Sequence, residues 1–308
     1  MSAIILPHAL DALYTLQGLR AFLSAQELST TKALGQNFLF TRPVLEAMLN
    51  AAQLPCQGTV IEIGPGVGHL TWMLLARGLS VVAIEYDRTF AHALRLLDKE
   101  RLAHSPTSAP RLTLIEADAL SFDFDQAAQE YNANHVLGNL PYNVAVPILF
   151  RLAFARYAWK GLYVTIQKEV GDRILAHAGN RTYGRLSIVL NYLCAIKKLR
   201  IISPHAFFPR PQVDSVFIEL VSRPDADKTF AADYLERLVM LGFSHRRKKL
   251  RSQLKNAIVE QRILNEERLD KLSAVLDLDR RAEALDLDDW VRLAEWVKQL
   301  QIDDCGLQ

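Results

Sequence analysis

Asn139, Leu140, Pro141 and Tyr142 follow a short apolar run in "HVLGNLPYN" and set a carboxamide, a constrained backbone and an aromatic ring side by side. The proline biases Leu140 away from helix and would point its carbonyl outward. The Asn139 carboxamide oxygen and the Leu140 carbonyl then offer two acceptors for the N–H bonds of a planar, weakly nucleophilic exocyclic amine such as that of adenine. Holding both bonds would let the nitrogen lone pair localise toward an electrophile. Tyr142 could stack on a base swung out of its helix, a contact of ~1–3 kcal/mol, or face a positive charge. No strong base is needed, because the amine sheds its proton after attack. A bare N-x-P-Y tetrapeptide is otherwise a turn with a tyrosine packed on it. What lies upstream decides between the two.

Upstream, "VIEIGPGVGHL" places Gly64, Gly66 and Gly68 between a strand-like run and a helix-like one, where glycine lets backbone approach a ligand closely. A dinucleotide fingerprint needs glycine at the sixth position, where His69 stands, and a phosphate loop needs a Gly-Lys-Ser/Thr that is absent. Glu62 before the turn repels phosphate and suits a ligand carrying ammonium and hydroxyl groups. Glu85, twenty-one positions after Gly64 (85 minus 64), ends the next strand and can accept from both ribose hydroxyls. Asp118, followed by Ala119 in "IEADAL", can accept from an adenine amine. Each acid alone reads as a solvated loop carboxylate. At three successive strand ends around a glycine turn, they point to S-adenosylmethionine as cofactor.

The elements that must hold these residues alternate. "GTVIEIG" reads as a buried strand, "HLTWMLLARG" as a helix, "SVVAIEYD" as a strand and "TFAHALRLLDKERL" as a helix. "RLTLIEADAL" and "NHVLGNLPY" add a third and fourth strand, "VPILFRLAFA" a helix, and "GLYVTIQKEV" and "SVFIELVSR" two more strands. The pattern predicts an α/β fold with a mostly parallel sheet covered on both faces, and ligands beyond the carboxyl ends of its strands. "SRPDADK" marks a boundary, after which Trp290, Leu293, Ala294, Val297 and Leu300 recur at helical spacing, as in the core stripe of a small helical domain. The expected division is an extension over 1–30, the sheet domain over 31–222 and helices over 223–308.

With 308 residues, 50% of them hydrophobic and 23% charged, the chain can bury a full core. Its formal charge is only +2, so binding to nucleic acid requires a local basic surface. Cys56, Cys194 and Cys305 lie far apart and form no C-x-x-C pair, which predicts buried thiols, a reducing compartment and no metal site. The N-terminal stretch lacks a basic region before its apolar residues and carries Asp11 and Arg20, so neither a signal peptide nor a membrane span is expected, and a cytoplasmic location is.

"LGQNFL" at 34–39, "EIGPGVGHLT" at 62–71, "NLPYN" at 139–143, "QKEV" at 167–170, "YGRLS" at 183–187 and "FFPRPQVDS" at 207–215 occur in order. In these motifs the chain resembles the bacterial small-subunit ribosomal RNA adenine dimethyltransferases, from about Lys32 to Ser252 and more weakly beyond. The resemblance implies a Rossmann-like class I methyltransferase domain with a helical C-terminal domain. It also implies methylation of two adjacent adenosines near the 3′ end of small-subunit ribosomal RNA, four methyl groups in all, coupled to small-subunit biogenesis. It places Asn37 and Leu39 over the methionine end of the donor with Gln36 nearby, Gly64 along it, Glu85 at the ribose, Asp118 at the adenine and Asn139 between donor and acceptor. It makes Phe207 a second aromatic face opposite Tyr142, where residue type alone suggests a core position.

Macrolide-resistance methylases of large-subunit RNA share the N-[LI]-P-Y pattern, but typically lack the "QKEV" and "YGRLS" segments and carry Asn where Asp214 stands. Eukaryotic relatives usually carry Glu there. Mitochondrial transcription factors use a similar framework for binding, so fold alone does not establish catalysis. His69, Trp72 and Ala33 depart from the family's usual residues. The expected partners are small-subunit ribosomal RNA and the precursor of that subunit, with a monomeric protein and no membrane. "GFSHRRKKLRSQLKN" concentrates Arg246, Arg247, Lys248, Lys249 and Arg251 on a predicted helix as the RNA-binding cluster, with Arg181 and Arg185 as secondary candidates. Thr31 and Lys32 are further candidates for ordering on RNA.

Overall fold

The computed structural model describes residues 8–29, 35–103, 110–261, 266–274 and 276–305. Thr31, Lys32, Ala33 and the side chains of Leu300 and Cys305 lie outside the described residues. The chain divides into two compact units, Met1–Gly171 with Lys197–Ser222, and Asp172–Ile196 with Arg223–Gln308.

The first unit is built on a seven-stranded sheet. Its strands are β1 (Gly58–Ile63), β2 (Leu79–Glu85), β3 (Leu112–Glu116), β4 (Ala133–Asn139), β5 (Gly161–Gln167), β6 (Cys194–Ile202, of which the part from Lys197 belongs to this unit) and β7 (Ser215–Ser222), in the order β3-β2-β1-β4-β5-β7-β6. The five strands from β3 to β5 run parallel and β7 pairs antiparallel with β5. Consecutive residues of β2, β4 and β5 are buried alike, so both faces of the sheet are covered. The chain order reverses between β1 and β4, which opens a crevice at their carboxyl ends. Gly64 follows β1 and Asn139 ends β4, so both motifs reach that crevice.

One strand escapes the sequence pattern. β6 carries Lys197, Lys198 and Arg200 among its apolar residues and sits at the sheet edge, where such charges discourage pairing with another chain.

Residues 10–25 belong to this unit rather than extending from it. Leu10, Leu13 and Tyr14 join the main core, while Leu19 and Leu23 of the helix Leu16–Ala25 pack with Phe38, Val67 and Phe90. His69 fastens the same segment: its Nε2 bonds the Leu13 carbonyl at 2.9 Å and the Tyr14 hydroxyl donates to the His69 carbonyl at 2.8 Å.

The second unit is helical, with Trp290, Leu293, Ala294 and Val297 buried as their spacing predicts. It also takes Asp172–Ile196, which a division at residue 222 assigns to the sheet domain. The reason is packing. Tyr183 and Ile188 share one core cluster with Phe230, Leu235 and Trp290, and the Gly179 N–H donates to the Glu283 carbonyl at 2.7 Å. Among the described residues, no helix is long and apolar enough to cross a membrane, and no group of acidic, His and Cys side chains could hold a metal ion.

Candidate active site

Two glycines shape the turn after β1. Gly64 and Gly66 have φ of +64° and +57°, the left-handed region that costs other residues about 1–2 kcal/mol. A Cβ on Gly66 would lie 2.6 Å from the Phe38 ring, whereas one on Gly64 would meet nothing nearer than Pro141 Cδ at 3.9 Å. Gly66 is therefore needed by the protein's own packing. Gly64 leaves space beside itself, within a cleft of about 280 Å³.

Carboxylates at the ends of β2 and β3 line the same cleft. The Gly66 N–H donates to Glu85 Oε2 at 3.0 Å and the Asp87 N–H to Oε1 at 2.9 Å, which fixes the plane of the Glu85 carboxylate. Burial pushes the Glu85 pKa up, against the pull of these N–H groups. Asp118 accepts from the Leu120 N–H at 2.8 Å, and Ala119 lies beside it.

Asn139 enters from the other side. Its Nδ2 donates to the Asn37 carbonyl at 2.6 Å, and its Oδ1 is buried with no partner among the described residues. A buried acceptor without a donor costs about 1–3 kcal/mol, and on a residue that lines a cleft it suits a ligand that brings an N–H. Gln36 is held by its Nε2 donating to Asp87 Oδ2 at 3.2 Å. The cleft thus gathers Gln36, Asn37, Gly64, Gly66, Glu85, Asp118, Ala119, Asn139 and Pro141 of the sequence-derived set.

Five members of that set lie elsewhere. Glu62 is buried at 2% exposure and takes a 2.6 Å hydrogen bond from Thr71 Oγ1. Successive strand residues point to opposite faces, so Ile63 lines the cleft while Glu62 faces the helix His69–Ala76. Burial and the Glu85 charge raise the Glu62 pKa to about 8 against the Thr71 bond, which favours the protonated form. Leu39 and Phe207 are paired across a two-residue ladder and buried in the main core, at 4% and 3% exposure, so neither lines the cleft and Phe207 presents no free ring face. The Leu140 side chain is also buried, and its N–H donates to the Thr165 carbonyl at 3.1 Å, which leaves only the residue's own carbonyl for chemistry. Tyr142 stands half-buried outside the cleft, its hydroxyl 2.6 Å from Ser215 Oγ.

Phe38, Tyr86, Asp87, Phe90 and Ile148 also line the cleft, and sequence reasoning missed them. Most are apolar and look like core. Asp87 carried a signal, as a second acid directly after the β2 end.

The basic segment of the second unit is helical only in part: Arg251 lies in the helix Leu250–Gln261, whereas Arg246, Arg247, Lys248 and Lys249 do not lie in a helix. Residues 244–249 form a turn between the helices Glu236–Phe243 and Leu250–Gln261, held by the Gln253 Nε2 donating to the His245 carbonyl at 2.7 Å. Arg246 donates to the Arg181 and Tyr183 carbonyls and lies over the Phe243 ring, so it serves the fold. Arg251 pairs with Asp270, Lys249 with Asp279 and Arg185 with Glu236. Arg247 and Lys248 are exposed and, among the described residues, make no ion pair.

A model of the ribosomal RNA adenine dimethylase family matches residues 28–299. The ribosomal RNA small subunit methyltransferase A of Thermosynechococcus vestitus is 36% identical over 276 residues, covering 88% of this chain and 97% of its own. Among solved structures, a dimethyladenosine transferase from Plasmodium falciparum matches with a TM-score of 0.70 and 25% identity, over 84% of this chain and 96% of its own. The 23S rRNA methyltransferase ErmE matches with a TM-score of 0.58 and 22% identity, over 85% of this chain and 100% of its own, which is a likeness of fold.

Proposed function

The chain belongs to the ribosomal RNA adenine dimethylase family, and on that premise we propose that it methylates the exocyclic amines of two adjacent adenosines near the 3′ end of small-subunit ribosomal RNA, within a precursor of that subunit, using S-adenosylmethionine. The observation that carries this is Asn139, which lines the same cleft as Gly64 and Glu85, with its amide nitrogen tied to Asn37 and its oxygen buried without a hydrogen-bond partner among the described residues.

The donor supplies a methyl group on positively charged sulfur. Glu85 would take the ribose hydroxyls, since each of its oxygens has a lone pair beyond the one engaged by backbone N–H. Asp118 and the Ala119 backbone would face the donor's adenine, with Gln36 and Asn37 nearer its methionine end. The space beside Gly64 is room for the ligand itself. Glu62 acts one step removed, bracing β1 against the helix that follows the turn through Thr71.

For the acceptor, Asn139 Oδ1 and the Leu140 carbonyl would each accept one amine N–H and so free the nitrogen lone pair. Tyr142 lies outside the donor cleft, which favours stacking on the target base over contact with the donor's charge. Its tie to Ser215 fixes the ring beforehand. The proton leaves to water after attack. Exposed Arg247 and Lys248 would supply salt-dependent phosphate contacts.

Incubated with labelled S-adenosylmethionine and under-methylated small subunits, the protein should place label in the RNA as dimethyladenosine. Asn139→Ala should lower the rate about 10²–10³-fold, the usual effect of deleting one such polar contact. An unlabelled RNA, or an Asn139→Ala variant as fast as the parent, would overturn the proposal.

A further inference from the structure

The ladder between Phe38–Leu39 and Phe207–Phe208 sorts two adjacent phenylalanines onto opposite faces. Phe207 lies against Leu39 in the core, whereas Phe208 lies opposite Phe38, packs on the Leu19–Phe90 cluster and stays partly exposed. Phe38 lines the donor cleft, so Phe208 sits one strand spacing from its wall, roughly 5 Å. Above the Phe208 ring lies the Arg20 guanidinium, 5.2 Å from the centroid. Arg20 is exposed and, among the described residues, pairs with no carboxylate. Its helix is anchored by Leu19 and Leu23 on Phe38, Val67 and Phe90, which fixes the backbone that carries Arg20 relative to the cleft.

We propose that Arg20 and Phe208 form a stacking platform for a nucleobase next to the target adenosine. The proposal rests on the RNA methylation reading of the site. Single-stranded RNA is bound by stacking bases on aromatic rings and on guanidinium planes. An exposed guanidinium held over a ring, with no carboxylate partner among the described residues, offers such a surface. The segment that begins at Phe208 ends at Ser215, the hydrogen-bond partner of Tyr142, so one stretch of chain joins the platform to the ring assigned to the target base. When one of two adjacent adenosines occupies the pocket, its neighbour must be held outside. The platform gives it a surface.

The test compares the parent with Arg20→Ala, Arg20→Lys and Phe208→Leu for donor affinity and for kcat and KM on under-methylated small subunits. Arg20→Ala should raise KM for RNA roughly five- to hundredfold, the range for one stacked base, with donor affinity within about twofold of the parent. Lysine keeps the charge but not the plane, so Arg20→Lys should recover only a minor part of the loss. Phe208→Leu, which preserves apolar packing, should show a similar rise in KM. An unchanged KM, full rescue by lysine, or an equal loss of donor affinity would each overturn the platform. A parent protein that fails to methylate the RNA would overturn the site's reading itself, a result distinct from an active parent with an unaffected Arg20→Ala.

Discussion

Adding one methyl group at Gly64 or at Gly66 should damage different properties. At both positions alanine must adopt positive φ, at a cost of about 1–2 kcal/mol. For Gly64→Ala that is nearly the whole cost to the fold, because the new Cβ would meet only Pro141 Cδ at 3.9 Å. For Gly66→Ala the new Cβ lands 2.6 Å from Phe38, adding overpacking of about 1–3 kcal/mol. At ~2–4 °C per kcal/mol for a unit of this size, Gly64→Ala should lower Tm by about 2–8 °C and Gly66→Ala by about 4–20 °C. Donor binding should rank differently from stability. The Gly64 methyl would fill space assigned to S-adenosylmethionine, so its Kd should rise at least about tenfold out of proportion to the small loss of Tm. The assay is calorimetric titration with S-adenosylmethionine beside thermal melts of the unliganded variants. A Gly64→Ala variant that binds the donor as the parent does would refute the placement of the ligand along that turn.

Three further outcomes follow from the geometry. Tyr142→Ala should slow methyl transfer to RNA roughly five- to hundredfold while changing donor affinity less than about twofold, and Tyr142→Phe should retain most activity; equal loss of both properties would count against base stacking. Glu62 has its pKa raised to about 8 in the folded state, so its contribution is fully present below the ordinary carboxylate pKa near 4.5 and is lost as pH rises through about 8. Glu62→Gln, whose amide oxygen can still accept from Thr71, should therefore gain stability over the parent progressively across that window in urea unfolding, and a constant difference would contradict the assignment. In the second unit, Arg247→Ala or Lys248→Ala should weaken RNA binding and reduce the salt slope by ~0.7–0.9 for each phosphate no longer neutralised, without lowering Tm, whereas Arg246→Ala should lower Tm because it holds the Arg181 and Tyr183 carbonyls.

Most of the site was legible because its signals are local. A glycine turn after a strand and acids at successive strand ends need no knowledge of distant packing, and Gly64, Glu85, Asp118 and Asn139 meet at one cleft. Misplaced residues depended on which way a side chain points. Glu62 is one residue before a cleft-lining position and so faces away, and Phe207 is turned into the core by the register of a two-residue ladder that joins segments about 170 positions apart (208 minus 38). The basic run misled for another reason. Its charges fit an exposed helix face, but the Gln253 bond to the His245 carbonyl closes a turn and Arg246 is drawn onto the Tyr183 loop. The placement of Asp172–Ile196 likewise depends on the core it shares with Phe230 and Trp290, which no local pattern reports.

The most direct test of the central claim is to map methylated positions in ribosomal RNA after the purified protein acts on small subunits that lack the modification, with large-subunit RNA in a parallel reaction. N6,N6-Dimethyladenosine is expected at two adjacent adenosines near the 3′ end of the small-subunit RNA and none in the large-subunit RNA. Methylation confined to a large-subunit adenosine, or at non-adjacent sites, would contradict the claim.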